Sequence, residues 1–181
     1  MPVQSTRSWA MFCIALWLMG SVSLGIVATE NFYTIDRLLE AKANPAFNAA
    51  VEKLGPTQAR DLLRYLSSEL NRLYFQFWNL AQLAIGVLVL WLVLRMPPSP
   101  RVKWSVVAMI GIGIFLTGVI TPPILSVGRA LDFVPRDPVP AQLRTFGLLY
   151  AAYTVLDGIQ LILGILVVLW IKGAKDDINA G

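Results

Sequence analysis

The 181-residue chain is 56% hydrophobic and 14% charged, with a mean hydropathy of +0.64 and a net charge of +4. A soluble domain carries about a quarter charged residues, so this composition excludes an ordinary water-soluble fold. The basic balance does not imply nucleic acid, because the basic residues flank apolar runs, where anionic lipid head groups attract them.

Ser8 to Thr29, Leu73 to Leu94 and Trp104 to Gly128 contain no Asp, Glu, Lys or Arg, and Thr145 to Ile171 contains only Asp157. Each meets the roughly 20 residues that a helix needs to cross a bilayer core, and a helix hides its backbone polar groups within its own segment. The expected fold is an all-α membrane protein: one domain over 1–181, a four-helix bundle with spans near 9–29, 73–95, 104–121 and 145–171. The first run exceeds the apolar core of a secretory signal, and "IVATENF" makes a poor cleavage site, so it reads as a retained span. Its one cysteine, Cys13, lies inside the span, where no internal disulfide can form.

Between the first two spans, 30–72 continues at helical spacing. Phe32, Ile35 and Leu39 extend the first stripe to Asn44-Pro45. After Gly55-Pro56 the stripe resumes through Leu62, Leu66, Leu70 and Leu73 without a breaker. These stripes could lie flat in the head-group interface, but the unbroken register from Thr57 to Arg95 favours a protruding helical hairpin that prolongs spans one and two by two or three turns. In the third run, tandem Pro122-Pro123 removes two backbone donors, so a kink or an end is expected near Thr121, with Ile124 to Leu131 along the outer surface. "VPRDPVP" then forms a stiff turn before the fourth span.

Orientation follows from charge density. "RMPPSPRVK" is a short basic loop without an acid, while the basic residues on the other side are spread through two longer loops. That places both termini in the cytoplasm, in an inner membrane of bacterial type.

Polar residues gather on one face of two spans: Arg72, Gln76, Asn79, Gln82 and Gly86 in the second, and Gly147, Tyr150, Thr154 and Asp157 in the fourth. Span one offers Ser21 and Gly25 for close helix approach, and span three Gly111, Gly118 and Thr121. At about 1.5 Å of rise per residue, Gln82 and Asp157 share a mid-membrane depth. Asn79, Tyr153 and Thr121 form a layer above, and Gln76 and Tyr150 one above that. The inner half of every span is Leu, Ile and Val, so polarity descends from outside to mid-membrane and stops, as in a closed-bottomed cavity or a polar seam. Asp157 has no cation at its depth, and a low dielectric favours the neutral carboxyl. It is therefore expected to be protonated and to donate to Gln82, Asn79 or a threonine. The cluster of Asp157, Gln160, Gln82, Asn79, Gln76, Tyr150, Tyr153 and Thr121 can act as helix glue or as a proton- or cation-linked site. Glu30 and Arg72 are expected to form an ion pair at the hairpin base.

Tyr65, Tyr74, Trp78 and Trp104 sit near span ends as interfacial aromatics do. No histidine occurs, and the Met and Cys residues are scattered, which argues against a metal or other cofactor. Triads, aspartyl dyads and phosphate loops are missing, which argues against an enzyme. The motifs "LWLMGSVSLGIVAT", "ELNRLYFQFWNLAQLAIG", "TPPILSVGRALD" and "FGLLYAAYTVLDG", in this order, resemble a bacterial family of four-helix membrane proteins related to eukaryotic transmembrane protein 205. Such proteins often carry a histidine about where Tyr150 stands. The resemblance implies the fold more than a function. Two function classes follow: an accessory or scaffolding protein whose 30–72 hairpin meets a membrane partner or a second copy, which is favoured, and a small transporter or ligand-binding protein around Asp157. The bilayer is the one partner expected in either case.

Overall fold

The computed structural model describes residues 3–97, 99–135 and 137–179, with side chains as far as residue 173. The described residues form helices and no strand: α1 Val3–Ala41, α2 Pro45–Leu54, α3 Pro56–Leu94, α4 Pro100–Phe115, α5 Thr121–Ala130 and α6 Ala141–Asn179. Four helical stretches are long and apolar enough to cross a membrane: α1, α3, the run Pro100–Ala130, and α6.

The two proline breaks of the hairpin shape its tip. Asn44 accepts the Phe47 N–H on its side chain at 3.1 Å, and Pro45 follows at the first helical position, where its missing donor costs nothing. The result is α2, a ten-residue helix where only a short connecting segment is expected. Gly55 ends it at φ 84°, a left-handed backbone that favours glycine, and Pro56 starts α3. Helix α3 therefore begins 17 residues before Leu73, a longer extension than the stripe alone indicates.

The tandem prolines do not end the third span. Leu116–Ile120 forms a π-helical turn, and Thr121-Pro122-Pro123 opens α5 directly after it. A wider turn accommodates the proline rings and their lost donors without breaking the helix. Of the two outcomes expected near Thr121, a kink or an end, the helix does not end: its irregularity is the π-helical turn, the chain stays helical to Ala130, and α5 packs on α6 and α3.

The spans close into a ring, with α1 against α3, α3 against α4, α4 against α6 and α6 against α1. The inner half is sealed by apolar packing of Ala10, Ile14, Val89, Val93, Val106, Val167 and Ile171. Close approach is made at Gly20, Gly86 and Gly164, where an added Cβ would come within 1.9, 2.9 and 2.8 Å of Trp78, Ile110 and Leu18 respectively. The positions expected from sequence, Gly25, Gly111 and Gly118, have open space instead. Gly20→Ala is expected to push the Trp78 ring out of its seat and break its hydrogen bond to Ser21. The cost should be about 1–3 kcal/mol, checked by thermal unfolding and by a shift of tryptophan emission.

Candidate functional site

Asn79, on the buried face of α3, is the centre of a polar layer. Its Nδ2 donates to Thr121 Oγ1 at 2.7 Å, while its Oδ1 accepts from Tyr153 OH at 2.9 Å and from Gln82 Nε2 at 3.1 Å. Helices α3, α5 and α6 are tied at one point by groups that are all buried. Thr121, Tyr153 and Gln82 are thus brought together as the sequence indicates. Gln76 is not: it is exposed, lying about 60° round the helix from Asn79, on the flank away from the bundle.

Just inside this layer, Trp17, Gln82 and Gln160 are each buried to within 1% of fully. Gln160 turns its Nε2 to the Met109 carbonyl at 2.8 Å. Trp17 Nε1, Gln82 Oε1 and Gln160 Oε1 have no hydrogen-bond partner among the described residues. Below them the apolar seal begins.

Asp157 is half-buried in the α1–α6 seam. Its polar neighbour across the seam is Ser21, whose Oγ accepts from Trp78 Nε1 at 3.2 Å. The expected partners Gln82 and Asn79 are corrected: both are taken up by their own layer, and the polar group beside Asp157 is this serine of α1, the helix that faces α6 here. Asp157→Asn keeps a group able to bond Ser21, so its unfolding temperature is expected within a few degrees of the parent protein. A thermal melt of the purified variant checks this.

Seven residues outward from Ser21 and from Asp157, Ala28 and Tyr150 face a cavity of about 1190 Å³. The α1–α6 seam, closed at Gly164 by Ile14 and Leu18 and tied at Asp157, is open above that level. Thr121 and Tyr153, which bond Asn79, stand at the cavity's inner end. Its walls carry Phe32 and Tyr33 from α1, Phe75 from α3, Ile124 and Leu125 from α5, and Leu143, Phe146 and Tyr150 from α6. Phe75 meets Tyr150 and Tyr153 edge-on at 5.9 and 5.2 Å between ring centroids. The lining extends along α3 from Thr57 to Phe75, about 27 Å of helix. The stretch from Arg60 to Arg72 carries Arg60, Asp61, Arg64, Glu69 and Arg72 and so lies beyond the hydrocarbon. The apolar walls continue there through Tyr65, Leu131, Phe133 and Val134.

This outer part is held by Arg72. Its guanidinium makes a bidentate pair with Asp132, Nη1 to Oδ2 at 2.8 Å and Nη2 to Oδ1 at 2.9 Å, and Nη1 also reaches Glu69 at 2.5 Å. Gly128 lies against the group, and a Cβ there would crowd the Phe146 ring at 3.2 Å while meeting Arg72 Nη2 at 3.4 Å, an ordinary contact. Tyr65 and Phe133 pack with ring centroids 5.2 Å apart. The expected Glu30–Arg72 pair is corrected: Glu30 binds Arg37 on its own helix, while Arg72 turns to the bundle interior, where the start of the α5–α6 connection supplies Asp132.

No family model, no curated protein and no solved structure matches the chain. The likeness to relatives of transmembrane protein 205 therefore rests on the sequence motifs alone.

Proposed function

We propose that this membrane protein binds one amphiphilic, chain-bearing molecule, holding its apolar part in the cavity between α1, α3, α5 and α6. The observation that carries this reading is the aromatic lining that starts in the outer half of the bundle and continues along α3 past the charged boundary of the span. Ligand sites of about 300–1,000 Å³ take small molecules whole, and this one is somewhat larger. An apolar chamber reaching beyond the membrane surface is of use to a molecule that leaves, or partly leaves, the outer leaflet. The sealed inner half argues against a through route in a single chain, and the absence of paired catalytic groups argues against an enzyme. The reading moves the emphasis from Asp157 to the cavity above it, with Asp157 and the Asn79 layer serving as its floor.

A photoreactive acyl probe in vesicles tests the reading. Crosslinks mapped to single residues by fragmentation should concentrate at Phe32, Phe75 and Phe146 over the lipid-facing Leu80, Val87 and Leu148. An even distribution over all exposed apolar positions would contradict it.

One observation favours the accessory reading as a second role. Leu62 and Leu66 are 47% and 55% exposed on the part of α3 beyond the span, an outer face suited to a second copy or a membrane partner. The orientation belongs to the same proposal: a bacterial-type inner membrane, both ends of the chain cytoplasmic and the cavity opening outside. A cysteine at Lys53 should react with an impermeant maleimide in intact cells, and one at Arg101 only after permeabilisation, with Cys13 buried in both.

A further inference from the structure

Among the described residues, six charged ones line the cavity: Arg60, Asp61, Arg64, Arg72, Asp132 and Asp137. Three are already engaged. Arg72 is neutralised by Asp132 and Glu69, and Arg60 pairs with Asp36 at 2.8 Å. Among the described residues, Arg64 and Asp61 take part in no ion pair. They stand three residues apart on α3, a spacing that puts Cβ atoms roughly 5–6 Å from each other, yet both line the same chamber rather than bond one another. Asp137 adds a second carboxylate to the lining without an ion-pair partner among the described residues.

Among the described lining residues, the charge left over is therefore one cation and two anions. An anionic head group would find one favourable contact and two repulsive ones. A head group with a phosphate and a primary ammonium would satisfy both signs, the phosphate on Arg64 and the ammonium on Asp61, because charge-assisted hydrogen bonds to either are the strong ones. Resting on the cavity reading above, we infer that the ligand is a zwitterionic glycerolipid with a phosphoethanolamine head group, and that Asp61 discriminates it from anionic phospholipids. This runs against the basic net charge of the chain, which by itself favours anionic lipid. The other basic side chains among the described residues lie outside the cavity lining.

The test uses the full chain in nanodiscs with three photoreactive lipids that share acyl chains: phosphatidylethanolamine, phosphatidylglycerol and diacylglycerol. Labelling of the cavity peptides by phosphatidylethanolamine should exceed that by phosphatidylglycerol at least threefold. Asp61→Asn should bring that ratio to about one. Arg64→Gln should weaken labelling by both phospholipids several-fold and leave diacylglycerol unchanged, which also shows that the variant is folded. Equal labelling by the two phospholipids, preference for phosphatidylglycerol, or no gain of phosphatidylethanolamine over diacylglycerol overturns the head-group assignment and leaves the cavity reading standing. No cavity labelling by any of the three overturns both.

Discussion

Replacing Arg72 by methionine is expected to destabilise the protein by about 3 kcal/mol, the lower part of the range for breaking a buried ion pair by removing one partner. Arg72 is 8% exposed, and its two partners are unequal. Asp132 has 15% of its side-chain surface exposed and Glu69 36%, so Asp132 suffers more when the cation is lost. Methionine keeps most of the apolar stem but leaves the Asp132 carboxylate desolvated without a counter-charge. The double variant Arg72→Met/Asp132→Leu removes both charges and should recover at least half of the loss, since an ion pair replaced by apolar groups is often nearly neutral. Thermal unfolding in detergent, followed by circular dichroism, measures both. A single variant as stable as the parent would mean that the α5–α6 connection is held elsewhere.

Asn79→Leu is expected to cost about 2–4 kcal/mol. The leucine fits the apolar surroundings, but Thr121, Tyr153 and Gln82 lose their shared partner at once. Each buried polar group left unpaired costs roughly 1–3 kcal/mol in soluble proteins, and interhelical bonds within membranes average nearer 0.6 kcal/mol. Those two scales bracket the sum over three groups. Tyr153→Phe removes only one of the three bonds and should cost less than half as much. Unfolding in mixed micelles compares the two variants, and equal costs would show that Asn79 is not the common centre.

How far the sequence reveals these features depends on what each one requires. The four spans, the hairpin and the sealed inner half follow from one-dimensional patterns: charge-free runs of span length and a stripe that continues without a breaker. The Asn79–Thr121–Tyr153 layer also follows, because equal depth on neighbouring spans is fixed by helical rise. Features that need knowledge of which helix faces which do not follow. Ser21 lies beside Asp157 because α1 is the neighbour of α6 at that level, and Arg72 chooses Asp132 because the π-helical turn keeps the chain helical to Ala130, setting the start of the α5–α6 connection beside α3. The cavity is the clearest case. Its aromatics Phe32, Phe75 and Phe146 come from three helices and look in the sequence like ordinary lipid-facing residues. One signal was available: Asp61 and Arg64 at a spacing suited to pairing, next to aromatic residues at helical intervals.

Native mass spectrometry of the protein released from detergent micelles tests the ligand-binding account most directly, with Leu125→Trp as the comparison. Leu125 lines the chamber and is half-buried, so an indole there occupies the space of an acyl chain without disturbing the Asn79 layer. The account predicts one lipid retained per chain in the parent protein and its loss in the Leu125→Trp variant at unchanged thermal stability. A parent protein that emerges without lipid, or a variant that retains it equally, would contradict a binding chamber and return the hairpin to a purely accessory role.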